Sequence, residues 1–182
     1  MLVYEGNTMK NKNIILIGMP AAGKSTVGRI LAEKMNFQSV DADRLIEKAK
    51  GKTLEAIIDE VGPEGFNKVE EEVNSSIDLE KHVIATGGSV IYGPKAMEHF
   101  DKTGIVVYLE VEFDDLANRV GDIKKRGISI KEGMTFRDLY DERIPLYEKY
   151  AHIKVNTTGE TVADTVDKVY EEIQKFIEGK ED

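Results

Sequence analysis

The chain contains no cysteine among its 182 residues. That excludes disulfide bridges, thiolate metal sites and a cysteine nucleophile, and it suits a reducing compartment, so the cytoplasm is the expected location. Positive charge is also in deficit: 25 Lys and Arg stand against 34 Asp and Glu, for a net charge of −9. Such a balance repels a nucleic-acid backbone unless basic residues gather on one face, and these are dispersed among acids, so nucleic acid is not an expected partner. No stretch approaches the ~20 apolar residues of a membrane span, and the N-terminal "MLVYEGNTMKNKN" lacks the apolar core of a signal peptide, so no membrane partner is expected either. There is no internal repeat or low-complexity tract. The length suits one hydrophobic core, and the expected organisation is a polar, frayed leader over residues 1–12 followed by a single domain over 13–182.

What the chain does have is a succession of short apolar runs: "NIILIG" (13–18), "FQSVDA" (37–42), "HVIATG" (82–87), "GIVVYLE" (104–110) and "HIKVN" (152–156). Runs apolar on both faces, spaced widely enough for intervening helices, predict a five-stranded parallel sheet covered on both sides, an α/β three-layer sandwich. The last helix carries Val162, Val166, Val169, Tyr170, Ile173, Phe176 and Ile177 at helical spacing, with Thr157 and Glu160 offering a capping box at its start. One segment, "GDIKKRGISIKEGMTF" (121–136), mixes glycines and charges around a few apolar residues in the manner of a mobile surface loop, and is the candidate lid.

Gly18 to Ser25 reads G-x-x-x-x-G-K-S, preceded by the buried run "NIILI" and followed by "STVGRILAEKM" with Val27, Ile30 and Leu31 on one helical face. In that context the backbone amides and the helix dipole converge on phosphate oxygens, giving a P-loop. Gly18, Ala21, Ala22, Gly23, Lys24, Ser25 and Thr26 form the candidate ATP-binding set, with Lys24 between the distal phosphates and the Ser25 hydroxyl a ligand for Mg²⁺. "FNKVE" (66–70) differs from a guanine-recognition motif by ending in Glu and following no apolar strand, and the third strand ends "VIATGG" without the acidic residue of a motor ATPase. "VDADRLIE" puts Asp41 and Asp43 at the mouth of the sheet. On an extended chain they point the same way, so one can organise Mg²⁺ while the other takes a hydrogen bond or proton from an attacking hydroxyl. The structural alternative makes Asp43 the N-cap of "RLIEKAK" and Asp41 incidental.

The stretches "GMPAAGKSTVGRILA", "DADRLIE", "GFNKVE", "VIATGGSV", "VVYLE", "LANRV" and "RIPLYEKYA" resemble, in order and spacing, those of shikimate kinases. The resemblance spans nearly all of residues 13–178. It implies a nucleoside-monophosphate-kinase-like fold of the P-loop type, MgATP as donor, and shikimate as the acceptor phosphorylated on its 3-hydroxyl. By the same resemblance Asp41 belongs to the metal shell, Asp43 faces the acceptor hydroxyls, and Gly87 and Gly88 lie against the acceptor. Arg119 matches an arginine near the adenine, Arg126 a lid arginine over the phosphates, and Arg143 an arginine that grips the acceptor carboxylate. Lys24, Asp43 and Arg126 are thus the candidate catalytic residues. The working state expected is a monomer with a small molecule as its partner.

Three departures bear on the acceptor. Asn67 stands where the family has a second carboxylate-binding arginine, Ser89 replaces the third glycine of a G-G-G turn, and "RGISI" replaces R-P-L-L in the lid. Asn67 and Ser89 therefore join Asp43, Gly87, Gly88 and Arg143 as candidate acceptor-binding residues. A different small hydroxy acid, amino alcohol or polyol stands as the alternative acceptor, and a nucleotide-responsive binding protein as the alternative class.

Overall fold

The computed structural model describes residues 12–123 and 125–181, so all of the expected leader except Lys12 lies outside the described residues, as does Lys124 of the expected lid. The five expected strands form β1 (Asn13–Ile17), β2 (Gln38–Asp41), β3 (His82–Ala85), β4 (Gly104–Glu110) and β5 (Ile153–Asn156). They make one parallel sheet in the order β2-β3-β1-β4-β5.

Alternate side chains of the central strands feed two separate cores, which is why both faces read as apolar. On one face Ile14 and Leu16 of β1 and Ile105, Val107 and Leu109 of β4 pack with Val27 and Leu31 of α1 (Lys24–Met35). Val166, Val169 and Ile173 of α7 (Val162–Glu181) complete that layer. On the other face Ile15, Ile17, Val106 and Tyr108 meet Met97 and Phe100 of α4 (Pro94–Thr103) and Tyr147 of α6 (Phe136–Tyr150). The remaining helices are α2 (Ala42–Lys50), α3 (Leu54–Ser75) and α5 (Phe113–Val120), with a short 3-10 helix at Val90–Tyr92. β1 and β3 are neighbours, yet α1 leaves toward one face and α4 follows β3 on the other. That divergence opens a crevice at the carboxyl ends of the strands, the usual ligand site of an open α/β sheet.

Three local features differ from expectation, and a fourth, in α3, was not anticipated. The cap of α7 is Thr161, whose Oγ1 accepts from the Asp164 amide (3.1 Å). Thr157 is buried instead, with its hydroxyl donating to the Glu110 carbonyl (3.3 Å). Val162, expected on the apolar face, is 43% exposed. α3 is broken at Gly62 (φ 73°, ψ 172°), a conformation natural only to glycine, and Pro63 then starts the second half where a missing N–H costs nothing. Within 121–136, Ile128 and Ser129 are buried, and Ile128 packs with Val120 and Leu139, so the segment is anchored at its middle. Its end is set by a capping box between Thr135 and Asp138 that starts α6.

Candidate active site

The turn after β1 places Lys24 at the first position of α1, where Gly23 (φ 89°) lets the chain enter the helix from a left-handed residue. Lys24 is 7% exposed and donates from Nζ to the carbonyls of Gly18 and Met19, each at 2.7 Å. Burial lowers its pKa to about 8, opposed by the charge of Asp43. An ammonium held this way gains more from a phosphate oxygen than one in water, because its hydration has already been given up.

Asp41 ends β2 and is itself the N-cap of α2, accepting from the Asp43 amide at Oδ1 (3.0 Å) and from the Ser25 hydroxyl at Oδ2 (2.8 Å). The two acids are therefore not on one extended face, and Asp43 is not the cap. Because the helix begins at Ala42, Asp43 turns away from Asp41 and lines the main cavity, while Asp41 lies toward the outer side of α1. Burial, and next the charge of Asp41, raise Asp43 to about 6.

The main cavity has a volume of about 320 Å³. Its phosphate side comprises Ala21, Gly23, Lys24, Ser25 and Thr26, and its far side Asp43, Gly87, Gly88, Ser89 and Arg143, with Arg126 also in the wall. At Gly87 a Cβ would lie 2.6 Å from Asp43 Oδ1 and 2.8 Å from Glu70 Oε1, and at Gly88 it would meet Pro20 Cδ at 2.7 Å and Arg143 Nη1 at 2.9 Å. A side chain at either position would force these groups to shift, so glycine lets the turn after β3 pass between them undisturbed. The Tyr147 hydroxyl fixes that turn from below, donating to the Gly88 carbonyl (2.5 Å).

Arg143 comes from α6, is 1% exposed, and donates from Nη2 to the Ser129 carbonyl (2.8 Å) with its guanidinium 5.4 Å from the Tyr92 ring centre. Its Nε has no hydrogen-bond partner among the described residues. Arg126 donates to the Arg119 carbonyl (2.9 Å) and reaches the cavity wall, whereas Arg119 pairs with Asp115 on α5 and lines no part of the main cavity.

Three other residues of the candidate set do not line this cavity. Ala22 packs into the core and its amide closes a turn on the Met19 carbonyl (3.1 Å), and Gly18 sits against the end of β4. Asn67 lines an adjoining side cavity of about 250 Å³, with its Oδ1 buried and unpartnered.

Sequence reasoning passed over Ser129, and it left Glu70, which by the family resemblance would hold the arginine that Asn67 replaces, out of the candidate site residues. Glu70 is 1% exposed, accepts from the Ser89 hydroxyl at Oε2 (2.5 Å), and leaves Oε1 without a partner. Burial raises it to about 7, the Ser89 bond opposing. A lysine near 8 and an acid near 6 in one cavity wall, with a second acid near 7 bonded to Ser89 behind it, are the pattern of a site whose groups exchange or share charge with a ligand.

The shikimate kinase family model matches residues 20–177. A shikimate kinase from Francisella tularensis subsp. holarctica is 39% identical over 165 residues, covering 88% of this chain and 94% of that protein. One from Thermodesulfovibrio yellowstonii is 34% identical over 172 residues, covering 93% and 99%. Among solved structures, the shikimate kinase from Acinetobacter baumannii in complex with shikimate superposes with a TM-score of 0.81 at 34% identity, covering 90% of this chain and 93% of that one. With a P-loop, an acid-and-arginine cavity and relatives matched over almost their whole length, the chain belongs to the shikimate kinase family.

Proposed function

We propose that this chain transfers the terminal phosphoryl group of ATP to a hydroxyl of shikimate, acting as a monomer in the cytoplasm, a reducing compartment that its cysteine-free composition suits. The observation that carries this reading is the single cavity in which Lys24 and Ser25 of the phosphate loop face Asp43, Gly87, Gly88 and Arg143. Lys24 leaves the Gly18 and Met19 carbonyls for the distal phosphate oxygens and neutralises charge there as the bond to the leaving oxygen loosens. Asp43 receives the acceptor hydroxyl, orients it in line and takes its proton; a carboxyl near 6 is ionised at neutral pH yet basic enough to help. Arg143 pairs with the acceptor carboxylate from the cavity wall. Arg126 approaches the phosphates from the anchored segment, and Arg119 supports the adenine side.

Ser25 and Asp41 suit Mg²⁺: both present hard oxygen ligands, already 2.8 Å apart at the mouth of the phosphate loop. Among the described residues no group of three or more His, Asp or Glu could hold a metal by itself, so the cation would be shared with phosphate oxygens. When bound, it supplies Lewis-acid stabilisation of the distal phosphates.

A coupled assay for ADP with shikimate, gluconate, homoserine and inositol tests the reading. The expected result is ADP release that depends on shikimate. ADP release indifferent to every acceptor, or none at all, would point to a nucleotide-binding protein instead.

A further inference from the structure

Five residues with hydroxyl side chains line the main cavity, and their hydrogen bonds set them apart. Ser25 and Thr26 belong to the phosphate loop, where Ser25 donates to Asp41. On the other walls Thr86 donates to the Leu16 carbonyl (2.8 Å) and Ser129 to the Pro63 carbonyl (3.5 Å), and an amide carbonyl does not take up a proton. Ser89 differs. Its hydroxyl lies 2.5 Å from Oε2 of Glu70, a carboxyl that is 1% exposed. A hydroxyl within hydrogen-bond reach of a base is the arrangement of an activated nucleophile. Burial raises Glu70 to about 7, the Ser89 bond opposing, which makes it a stronger base than an exposed carboxylate and matches it to neutral pH. The hydroxyl exists because serine stands where the resembling sequences have the third glycine of the turn.

The turn that carries Ser89 abuts the phosphate loop. A Cβ at Gly88, the residue before it, would lie 2.7 Å from Pro20 Cδ, and Lys24 Nζ donates to the carbonyl of Met19, the residue before Pro20. The ammonium that meets a terminal phosphate and the Ser89 hydroxyl thus flank one short strip of the cavity wall. The charges of Asp43, Arg143 and Lys24 all act on Glu70, which places this buried acid within the same electrostatic field as the phosphate-binding groups.

We propose that Ser89 is a site of self-phosphorylation, to which the chain transfers the terminal phosphoryl group of ATP when no small-molecule acceptor fills the cavity. The inference rests on the reading of the chain as an ATP-dependent kinase and adds a protein hydroxyl to its acceptors. Ser89 Oγ forms a bond to the γ-phosphorus as the bond from that phosphorus to the β,γ-bridging oxygen breaks. ADP leaves with the electron pair, and the hydroxyl proton passes to Glu70 Oε2. The phosphoserine then stands beside Arg143, whose Nη1 lies 2.9 Å from the Cβ position of Gly88, and a charge-assisted bond to the guanidinium holds it there. It occupies the acceptor side of the cavity. Modification therefore closes the site to small molecules, and a bound acceptor protects Ser89.

The test is intact-protein and tandem mass spectrometry of phosphatase-treated wild-type protein, incubated with ATP and Mg²⁺ and without acceptor. The expected result is one addition of about 80 Da on the peptide containing Ser89, with a rate constant unchanged over about a tenfold range of protein concentration. Saturating shikimate and the Glu70→Gln variant each lower that rate at least about tenfold, and Ser89→Ala and Lys24→Ala abolish the addition. Shikimate-dependent ADP release falls in proportion to the fraction modified and returns on phosphatase treatment, which a merely structural Ser89–Glu70 bond does not produce. ADP release with shikimate but no added mass, or mass added at another residue, would overturn the site while leaving the kinase reading intact. A rate proportional to protein concentration, or one unaltered in Glu70→Gln, would overturn transfer within the chain to a hydroxyl that Glu70 activates. Neither added mass nor ADP release with any acceptor would overturn the kinase reading and this inference with it.

Discussion

Replacing Glu70 by Gln removes a titrating group from behind the acceptor wall while keeping an oxygen to accept from Ser89. Burial raises this carboxyl from an ordinary 4.5 to about 7, and at 1.36 kcal/mol per pH unit that difference corresponds to about 3 kcal/mol. The native state binds the Glu70 proton more tightly than the unfolded chain does. Its contribution is therefore fully present below pH 4.5 and is lost as pH rises through about 7. Gln has no such loss. Its amide nitrogen would occupy the space of the unpartnered Oε1, which costs about 1–2 kcal/mol and reduces the gain. The net expectation is a variant about 1–2 kcal/mol more stable than wild type at pH 8, or about 2–8 °C in Tm, and about 1–2 kcal/mol less stable than it at pH 4.5, where the linkage gain is gone and the amide cost remains. Urea denaturation of both proteins at half-unit steps from pH 4.5 to 8 gives the difference curve, in which other titrating groups cancel. A flat difference curve, or one that favours wild type as pH rises, would refute a buried, uncharged Glu70 and with it the picture of Ser89 tethered to a costly acid.

The raised pKa of Asp43 predicts that kcat/KM falls on the acid side with an apparent pKa near 6, and that Asp43→Asn loses about 10²–10⁴-fold in kcat with the acid limb abolished; an unaltered limb in the variant would assign it to another group. Asn74→Leu, which removes two unpaired polar atoms at a wholly buried site, should gain about 1–3 kcal/mol in urea denaturation with acceptor kinetics unchanged, and a loss of stability would mean those atoms have partners.

Much of the fold was legible because strands buried on both faces announce themselves: "NIILI" and "GIVVYLE" divide their alternate residues between two cores. The P-loop was legible for a related reason, since its meaning depends on the strand before it and the helix after it, and both can be read locally. The rest of the site depends on where helices face. Phe66, Glu70 and Asn74 recur every four residues on the buried stripe of α3, a signal present in the sequence but masked by two of the three being polar. Asn67, one residue beyond Phe66, is turned about 100° from it, which carries it out of the main cavity and into its neighbour. Ser129 gave no local sign of burial, because what buries it is distant in sequence: the Arg143 guanidinium and the kink of α3, whose Pro63 carbonyl accepts from its hydroxyl (3.5 Å). The α7 cap shows the same dependence. The sequence reading named only the Thr157 box, whereas the Thr157 hydroxyl is taken by the Glu110 carbonyl and Thr161, four residues on, starts the helix.

The central claim is that the phosphate loop delivers a phosphoryl group across the cavity to a carbon-bound hydroxyl. Phosphorus NMR of a mixture of ATP, Mg²⁺ and shikimate tests it directly by identifying the product. The account predicts a phosphomonoester resonance that grows in step with ADP for wild-type protein, and a rate lower by at least about 10²–10³-fold for Lys24→Ala. Growth of inorganic phosphate without a phosphomonoester, or an ester formed equally fast by Lys24→Ala, would contradict it.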